Sequence, residues 1–597
     1  MNNNFVCAIA SVMLLAATSG LAQKRLPSSE GRQFAEPSDE PAATLININN
    51  FSMWVHADGA VRNPEIGNTG AVFPRGTAGV IWFDGLLFGG VVKDGQSPTL
   101  RTGGNMYTSA MAPGQIISKG VAEDPNAPDV RIWRIRRDYK TADLTQDAAE
   151  IHNIPLEDVT FAQVQSVRQQ YERDWNEWPW QKGAPFYDAN ANGVMDADEE
   201  PGLANADQVM WCVANDLDPA IVKEFSGSPP IGLEMQVTLW AYAQRENLNN
   251  MIFKRHRFIS KGTAATPDTA RIDSMYIGQW SDVDLGRYSD DFVGCDSVLS
   301  IGYVYNSTVN DSEYVKFDLT PPAVGYVIVQ GPIVPASTTD TAVFDFGERR
   351  SFKNLAMTSF AYFTSGGFAE DCGRGSFECT VELLNLLRGF LRESDFRNPI
   401  RYTRNDGVTP TSFPLSGDPA LGSPEVDGII IGPDDRRILS CSGPFSLAFW
   451  DTQEVIIALV GGLGADPIFS LGVMKHNAKI ARNLARSNFQ LPPLVSEPPV
   501  VENLPEYFGI SKNLPNPFNA RTQILYELPE TRHVRISVHN LLGQRFKILI
   551  DNEQPAGRYS IFWDGTDDNG KPLGSGIYFY TFDTGVIVHT KKMILLR

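Results

Sequence analysis

The sharpest chemical signal in this 597-residue sequence is a run of twelve residues, Asp188-Ala-Asn190-Ala-Asn192-Gly193-Val194-Met195-Asp196-Ala-Asp198-Glu199. A calcium loop of that length takes oxygen donors from positions 1, 3, 5, 7 and 9. A glycine at 6 permits the sharp turn, and a carboxylate at 12 closes the shell. The donors here are Asp188, Asn190, Asn192, the carbonyl of Val194, Asp196 through water, and Glu199, with Gly193 in the turn. The flanks depart from a helix-loop-helix hand, since Pro185 precedes the loop and Glu200-Pro201-Gly202 stands where an exiting helix would start. The spacing predicts an isolated loop holding a structural Ca2+. Its alternative is an Asx-rich turn whose side chains only cap their own backbone.

A second acidic group, Asp282, Asp284, Asp290, Asp291 and Asp296, lies beside Trp280 and Tyr288. Paired carboxylates with nearby aromatics could hydrolyse glycosides, one acid protonating the leaving oxygen while its partner attacks or activates water. The same acids could chelate a second calcium, or form a solvated turn rich in Asx hydrogen bonds. The last reading is the expected one, because no spacing fixes a catalytic pair. The sequence contains no G-x-S-x-G elbow, H-E-x-x-H helix, G-x-x-x-x-G-K-[ST] phosphate loop or intact G-x-G-x-x-G fingerprint. His56, His152, His256 and His476 stand apart from any obvious nucleophile. No catalytic residue and no organic cofactor are assigned.

Composition sets the frame for these loops. With 42% hydrophobic and 20% charged residues the chain has apolar material for packed cores, and two or three domains are expected. Its formal charge of −19 repels phosphate backbones and anionic lipid, so nucleic acid is excluded as a partner. An apolar run from Phe5 to Ala17, followed by Gly20-Leu21-Ala22, reads as a signal peptide cleaved after Ala22. No later run of 18 uncharged apolar residues occurs, so no transmembrane anchor is expected. Five cysteines remain after cleavage. Cys372 and Cys379 flank a glycine-rich loop suited to a local bridge, whereas Cys212 beside Trp211 reads as a buried apolar residue.

The elements that must position the loops are mainly β. A flexible leader, 23–43, precedes a large β-rich body, 44–490. Strand signals run through Gly79 to Phe83, Val130 to Ile135, Gly232 to Ile259, Ile272 to Tyr305, Val324 to Val334 and Glu454 to Gly461. Helical spacing appears in Pro155 to Trp178, in Val381 to Arg392, and from Met474 to about Phe489. Trp175 and Trp178 continue the apolar face of the first of these, so packing is favoured over a ligand platform shared with Trp180. The fold class expected is a large sandwich-like body with helical insertions. Prolines at 492, 493, 498, 499 and 505 mark a linker, 491–506, and alternating runs after it predict a small antiparallel β-sandwich at 507–597.

Within that last segment stand Leu514-Pro515-Asn516-Pro517-Phe518-Asn519, Val538-His539-Asn540-Leu541-Leu542-Gly543-Gln544, Trp563-Asp564-Gly565-Thr566-Asp567-Asp568-Asn569-Gly570, and Gly574-Ser575-Gly576-Ile577-Tyr578. The segment resembles the type A C-terminal sorting domain of the type IX secretion system and the related Ig-like fold of flagellar hook-capping proteins. Lys591-Lys592-Met593-Ile594-Leu595-Leu596-Arg597 is similar to that family's basic, strand-forming terminus. The resemblance implies export across the outer membrane, a secretion translocon as partner, and an extracellular or outer-surface location, commonly with removal of the domain. In the body, Gly183 to Asp188, Ala206 to Trp211, Gly278 to Gly286, Asp434 to Arg437 and Ser442 to Phe445 resemble large exported proteins carrying such tails. That likeness implies location and architecture only. The function expected is a noncatalytic surface or matrix component, stabilised by calcium and binding glycans or other proteins. The competing class is a secreted hydrolase of the glycosidase kind using acids of the body.

Overall fold

The computed structural model describes residues 42–203, 205–243, 245, 248–364, 372–491, 508–513, 516–518 and 521–596. The expected signal peptide, the leader up to Pro41 and the linker beyond Leu491 lie outside the described residues. What is described is mainly β, in two sandwiches with helices against the larger.

The body is built on two antiparallel sheets. The larger runs Trp133–Arg136, Gln208–Asn215, Leu233–Ala241, Met251–Ser260, Thr452–Gly462, Ala323–Gln330, Ile301–Asn306, Asp291–Asp296, with Ala112–Pro113 also paired to Gln208–Asn215. The smaller runs Ser359–Thr364, Arg436–Ala448, Arg271–Val283, Phe83–Lys93, Leu100–Gly104. Side chains alternate between the faces of a strand, so the central strands of the larger sheet each supply two cores. On Met251–Ser260, Ile252 and Phe258 enter the core between the sheets, while Met251 and Phe253 enter a second core behind. Burial on both faces explains why these strands read as nearly continuous apolar runs.

Helix Pro467–Arg486 closes the second core with Leu471, Met474, Ala478 and Ala481 at helical spacing. Asp466 caps it, its carboxylate accepting the Phe469 N–H at 2.8 Å, and Pro467 takes the first turn. Helix Phe161–Asn176 starts at a capping box formed by Thr160 and Gln163. Trp178 beyond it is buried in the second core, with Trp175 and Trp180 packed against the same core, so this tryptophan cluster is packing.

Two departures from expectation bear on the smaller sheet. The helix read as Val381 to Arg392 runs Phe377–Leu387, capped by Ser376 and ended by Gly389 at φ +81°. It lies over Gly278 of the smaller sheet, where an added Cβ would come within 2.6 Å of Leu439 and 2.7 Å of Leu387. The thirteen-residue strand Arg436–Ala448 has no counterpart among the expected strands, because Gly443-Pro444 breaks its pattern. Register places that pair in a bulge between Met275↔Phe445 and Ile277↔Ser442, where proline's missing N–H is not required. Cys372 and Cys379 are disulfide-bonded, and Cys212, Cys295 and Cys441 are buried thiols.

The C-terminal residues form a second, smaller sandwich. One sheet holds Gly509–Ile510, Thr522–Leu528 and Gly557–Trp563; the other holds Arg545–Gln554, Arg532–His539, Gly576–Asp583 and Val588–Leu595. Ile524, Tyr526, Val534, Ile536, Trp563, Tyr580, Met593 and their neighbours make a core drawn entirely from this region.

Candidate metal centre

The loop of Asp188 to Glu199 is closed at its base by a two-residue ladder, Phe186↔Pro201 and Tyr187↔Glu200. Gly193 stands at φ +75°, as position 6 demands. Asp188 accepts the N–H groups of Asn192 (3.1 Å) and Gly193 (2.8 Å), and Asn192 Oδ1 accepts that of Val194 (2.7 Å). Glu199, buried, reaches back to accept the N–H groups of Ala189 (2.7 Å) and Asp196 (3.0 Å), so the twelfth residue ties both ends together. The side-chain amides of Asn190 and Asn192 both donate to Asp196 Oδ2, at 2.8 and 2.9 Å. Asp198, which the loop pattern leaves out of the donor set, is exposed. All the named donors are hard oxygens on one tight turn, a set that fits calcium. The same bonds are those of an Asx-rich turn.

Among the described residues, the three carboxylates whose oxygens come within 4.8 Å of one another are a different set, Asp282, Asp284 and Asp435. Sheet register brings them together. Asp282 stands opposite Arg437 and Val283 opposite Arg436, and continuing the ladder by one residue sets Asp284 against Asp435. Residues two apart share a face, so three carboxylates and the Arg437 guanidinium gather at one end of the smaller sheet. Asp282 is 0% exposed, Asp435 6% and Asp284 9%. The Tyr107 hydroxyl donates to Asp282 Oδ2 at 2.8 Å and accepts from Arg437 Nη1 at 3.2 Å. Two like charges about 4 Å apart repel by roughly 4 kcal/mol at an effective dielectric near 20, a cost that the Arg437 guanidinium offsets in part and a hard divalent cation would offset further.

The remaining acids of this stretch take other roles. Asp291, fully buried, accepts the Leu285 N–H at 3.1 Å, and its carbonyl accepts the Asp434 N–H at 3.3 Å. Burial holds its carboxyl well above the usual carboxylate range, with Asp284, Asp290 and Asp311 adding repulsion. Asp290 is raised in the same sense, chiefly by partial burial, and is held by Asn306 at 2.9 Å. Asp296 alone behaves as a turn-former, accepting the N–H groups of Val298 and Leu299 at 3.0 Å. The solvated-turn expectation therefore fails for Asp282, Asp284 and Asp291, which pairing between distant strands takes out of water. Asp435, quoted from the sequence only within Asp434 to Arg437, is not grouped there with these acids because it lies about 150 residues from Asp284, and only the strand interrupted by Pro444 brings it near. A body cleft of about 360 Å³ has a single lining carboxylate, Asp94, which buried Arg101 holds at 2.7 and 3.1 Å.

No family model matches the chain, and no curated protein matches it. Among solved structures it is similar to a polysaccharide lyase, with 7% identity over 61% of this chain and 34% of the other, at a TM-score of 0.17. It is also similar to dimeric latent PorU from Porphyromonas gingivalis (8% identity, 65% and 31% covered, TM-score 0.13). A third is PorZ, described as an essential surface component of the type IX secretion system of that bacterium (10% identity, 64% and 46% covered, TM-score 0.11). The chain spans between about a third and a half of the length of these structures. Superpositions at such TM-scores carry no argument about fold or function.

Proposed function

We propose that this chain is a noncatalytic protein of the cell surface or extracellular space, exported through its last ninety residues, which act as an address for a secretion translocon. The body is the passenger, and calcium bound by Asp188, Asn190, Asn192, Val194, Asp196 and Glu199 stabilises it. The observation that carries this reading is the self-contained core of the C-terminal sandwich. Phe518, Trp563 and Tyr578, all drawn from the motifs that mark the sorting-domain resemblance, serve as its framework: the Trp563 ring lies 5.4 Å from both others, and the Trp563 indole N–H donates to the Thr566 carbonyl at 2.9 Å. With these three residues holding a scaffold, recognition is left to the side chains displayed on its surface, as an address requires.

Burial of the body's acids supports the noncatalytic half. A glycosidase sets its two carboxylates across an opening that admits a sugar, about 5–10 Å apart; Asp282, Asp284 and Asp435 are each less than a tenth exposed. The test is deletion of 507–597 in the native organism, followed by cell fractionation with terminal peptide mapping. The truncated chain is expected to stay inside the outer membrane. Its undiminished appearance outside would refute the address role.

A further inference from the structure

We infer that the module is recognised through the outer face of its four-stranded sheet, at the end bearing the Asn540–Gly543 turn, and that this face fits a protein surface that is acidic around an apolar centre. The inference rests on the proposed sorting role and gives it a location. Arg545 is paired with His539, His539 with Phe579, and Phe579 with Lys592, one row across all four strands. Their chain neighbours Val538, Tyr578, Tyr580 and Met593 point into the core, so alternation turns the row outward. Ile577, one step further on the same face, is 49% exposed.

The turn completes the patch. Leu541 and Leu542 are 76% and 82% exposed. They are held there by a built scaffold: Asn540 Oδ1 accepts the N–H groups of Leu542 (2.9 Å) and Gln544 (3.0 Å), and the Asn540 amide donates to Gln544 Oε1 at 2.8 Å. Gly543, at φ +77°, closes the turn with its N–H on the Asn540 carbonyl. These two leucines stand in water on the turn that follows His539, whose ladder partner is Phe579, and with exposed Ile577 they make an interaction surface at one end of the sheet rather than scattered exposure.

Charge selects the occupant. Residues 508–597 contain eleven Lys and Arg against eight Asp and Glu, although the whole chain carries −19. Four of the eight acids are committed to local pairs, Asp551 with Arg535 (2.9 Å), Asp564 with Lys547 (3.3 Å), Glu527 with Arg558 (2.7 Å) and Glu530 with Arg532 (2.6 Å). No carboxylate stands in the row from Arg545 to Lys592 among the described residues. A basic rim around an apolar centre is complementary to an acidic, apolar-centred patch. A continuous anionic membrane is disfavoured, because it would repel the strongly acidic remainder of the chain.

The test uses the full chain in its native host. Arg545→Glu with Lys592→Glu, and separately Leu541→Ser with Leu542→Ser, are compared with Lys571→Glu, an exposed charge elsewhere on the module. Protease resistance of the C-terminal region verifies folding. Both double variants are expected to lower the exported fraction about tenfold or more, with the Lys571 variant at the wild-type level. Wild-type export of the folded double variants, alongside a block on deleting 507–597, would overturn this inference and leave the sorting role standing. Unchanged export on deletion would remove the sorting role itself. Binding of the purified protein to phosphatidylglycerol vesicles, lost in the Arg545/Lys592 variant, would assign the face to lipid and overturn the protein partner.

Discussion

The two sandwiches of this chain solve the same packing problem in opposite ways. The body buries charged pairs: Lys254 on Asp84, Arg101 on Asp94, Arg134 on Asp147, Arg255 on Glu454 and Arg436 on Asp427. The C-terminal sandwich buries no charged side chain among its described residues; its buried polar groups are Asn513, Thr522, Ser537 and Thr584. A buried ion pair stabilises little in net terms, yet losing one partner is costly, so the body's architecture depends on particular residues meeting across long sequence separations. The small module depends on apolar fill, and its charges stay outside.

The contrast is broken most readily at Trp563. Trp563→Ala empties the middle of the small core and should cost about 3–5 kcal/mol, much of what a ninety-residue module possesses. In a denaturant titration of the full chain the C-terminal transition should move or vanish while the body's stays in place. A body transition that moved equally would show the two cores to be one cooperative unit.

Lys254→Met tests the other side. It strands the Asp84 carboxylate, already 0% exposed, with only the Tyr326 hydroxyl donating at 2.6 Å. The expected loss is about 3–5 kcal/mol in the body transition, largely recovered when Asp84→Asn is added. A single variant within ~0.5 kcal/mol of wild type would mean the pair is not buried in solution.

Calcium sharpens the comparison at intermediate size. At a hundredfold excess over its dissociation constant, an ion bound only by the native body adds about 2.7 kcal/mol. The body's melting midpoint should rise on adding calcium, the C-terminal midpoint should not, and Asp188→Ala should abolish the rise. Calorimetry with no calcium heat at millimolar concentration would reject the loop as a site.

His256 gives the smallest effect. Burial, with Lys254 adjacent, holds its imidazole well below the ordinary value, and Nδ1 has no hydrogen-bond partner. Above about pH 6.5 the ring is neutral in both states. As pH falls below that, the unfolded chain binds a proton that the fold refuses, so stability drops by up to about 1.4 kcal/mol per unit. Denaturation at pH 7 and pH 5 should show a smaller acid loss for His256→Gln than for wild type. Equal losses would contradict a neutral buried ring.

How much of this was legible depended on whether the signal was local. Helix Phe161–Asn176 and strands such as Thr522–Leu528 declare themselves through spacing and caps within a few residues. The Asp188–Glu199 oxygens and Gly193 are likewise a local pattern, and Gly193 takes the left-handed conformation that the pattern requires at its sixth position. Asp282 and Asp284 look like surface aspartates because nothing near them says that Arg436–Ala448 will pair alongside, and that strand is masked by Gly443-Pro444 at its bulge. In the small sandwich the strand Arg545–Gln554 went unread because it is an edge with most residues partly or fully exposed, lacking apolar alternation.

The most direct test of the central claim is transplantation: residues 507–597 fused behind an unrelated folded protein that carries its own signal peptide, expressed in the native host. The address account predicts that the fusion reaches the cell surface or medium, while the same passenger without the segment stays periplasmic. A fusion that remains periplasmic with its C-terminal sandwich folded and protease-resistant would contradict it.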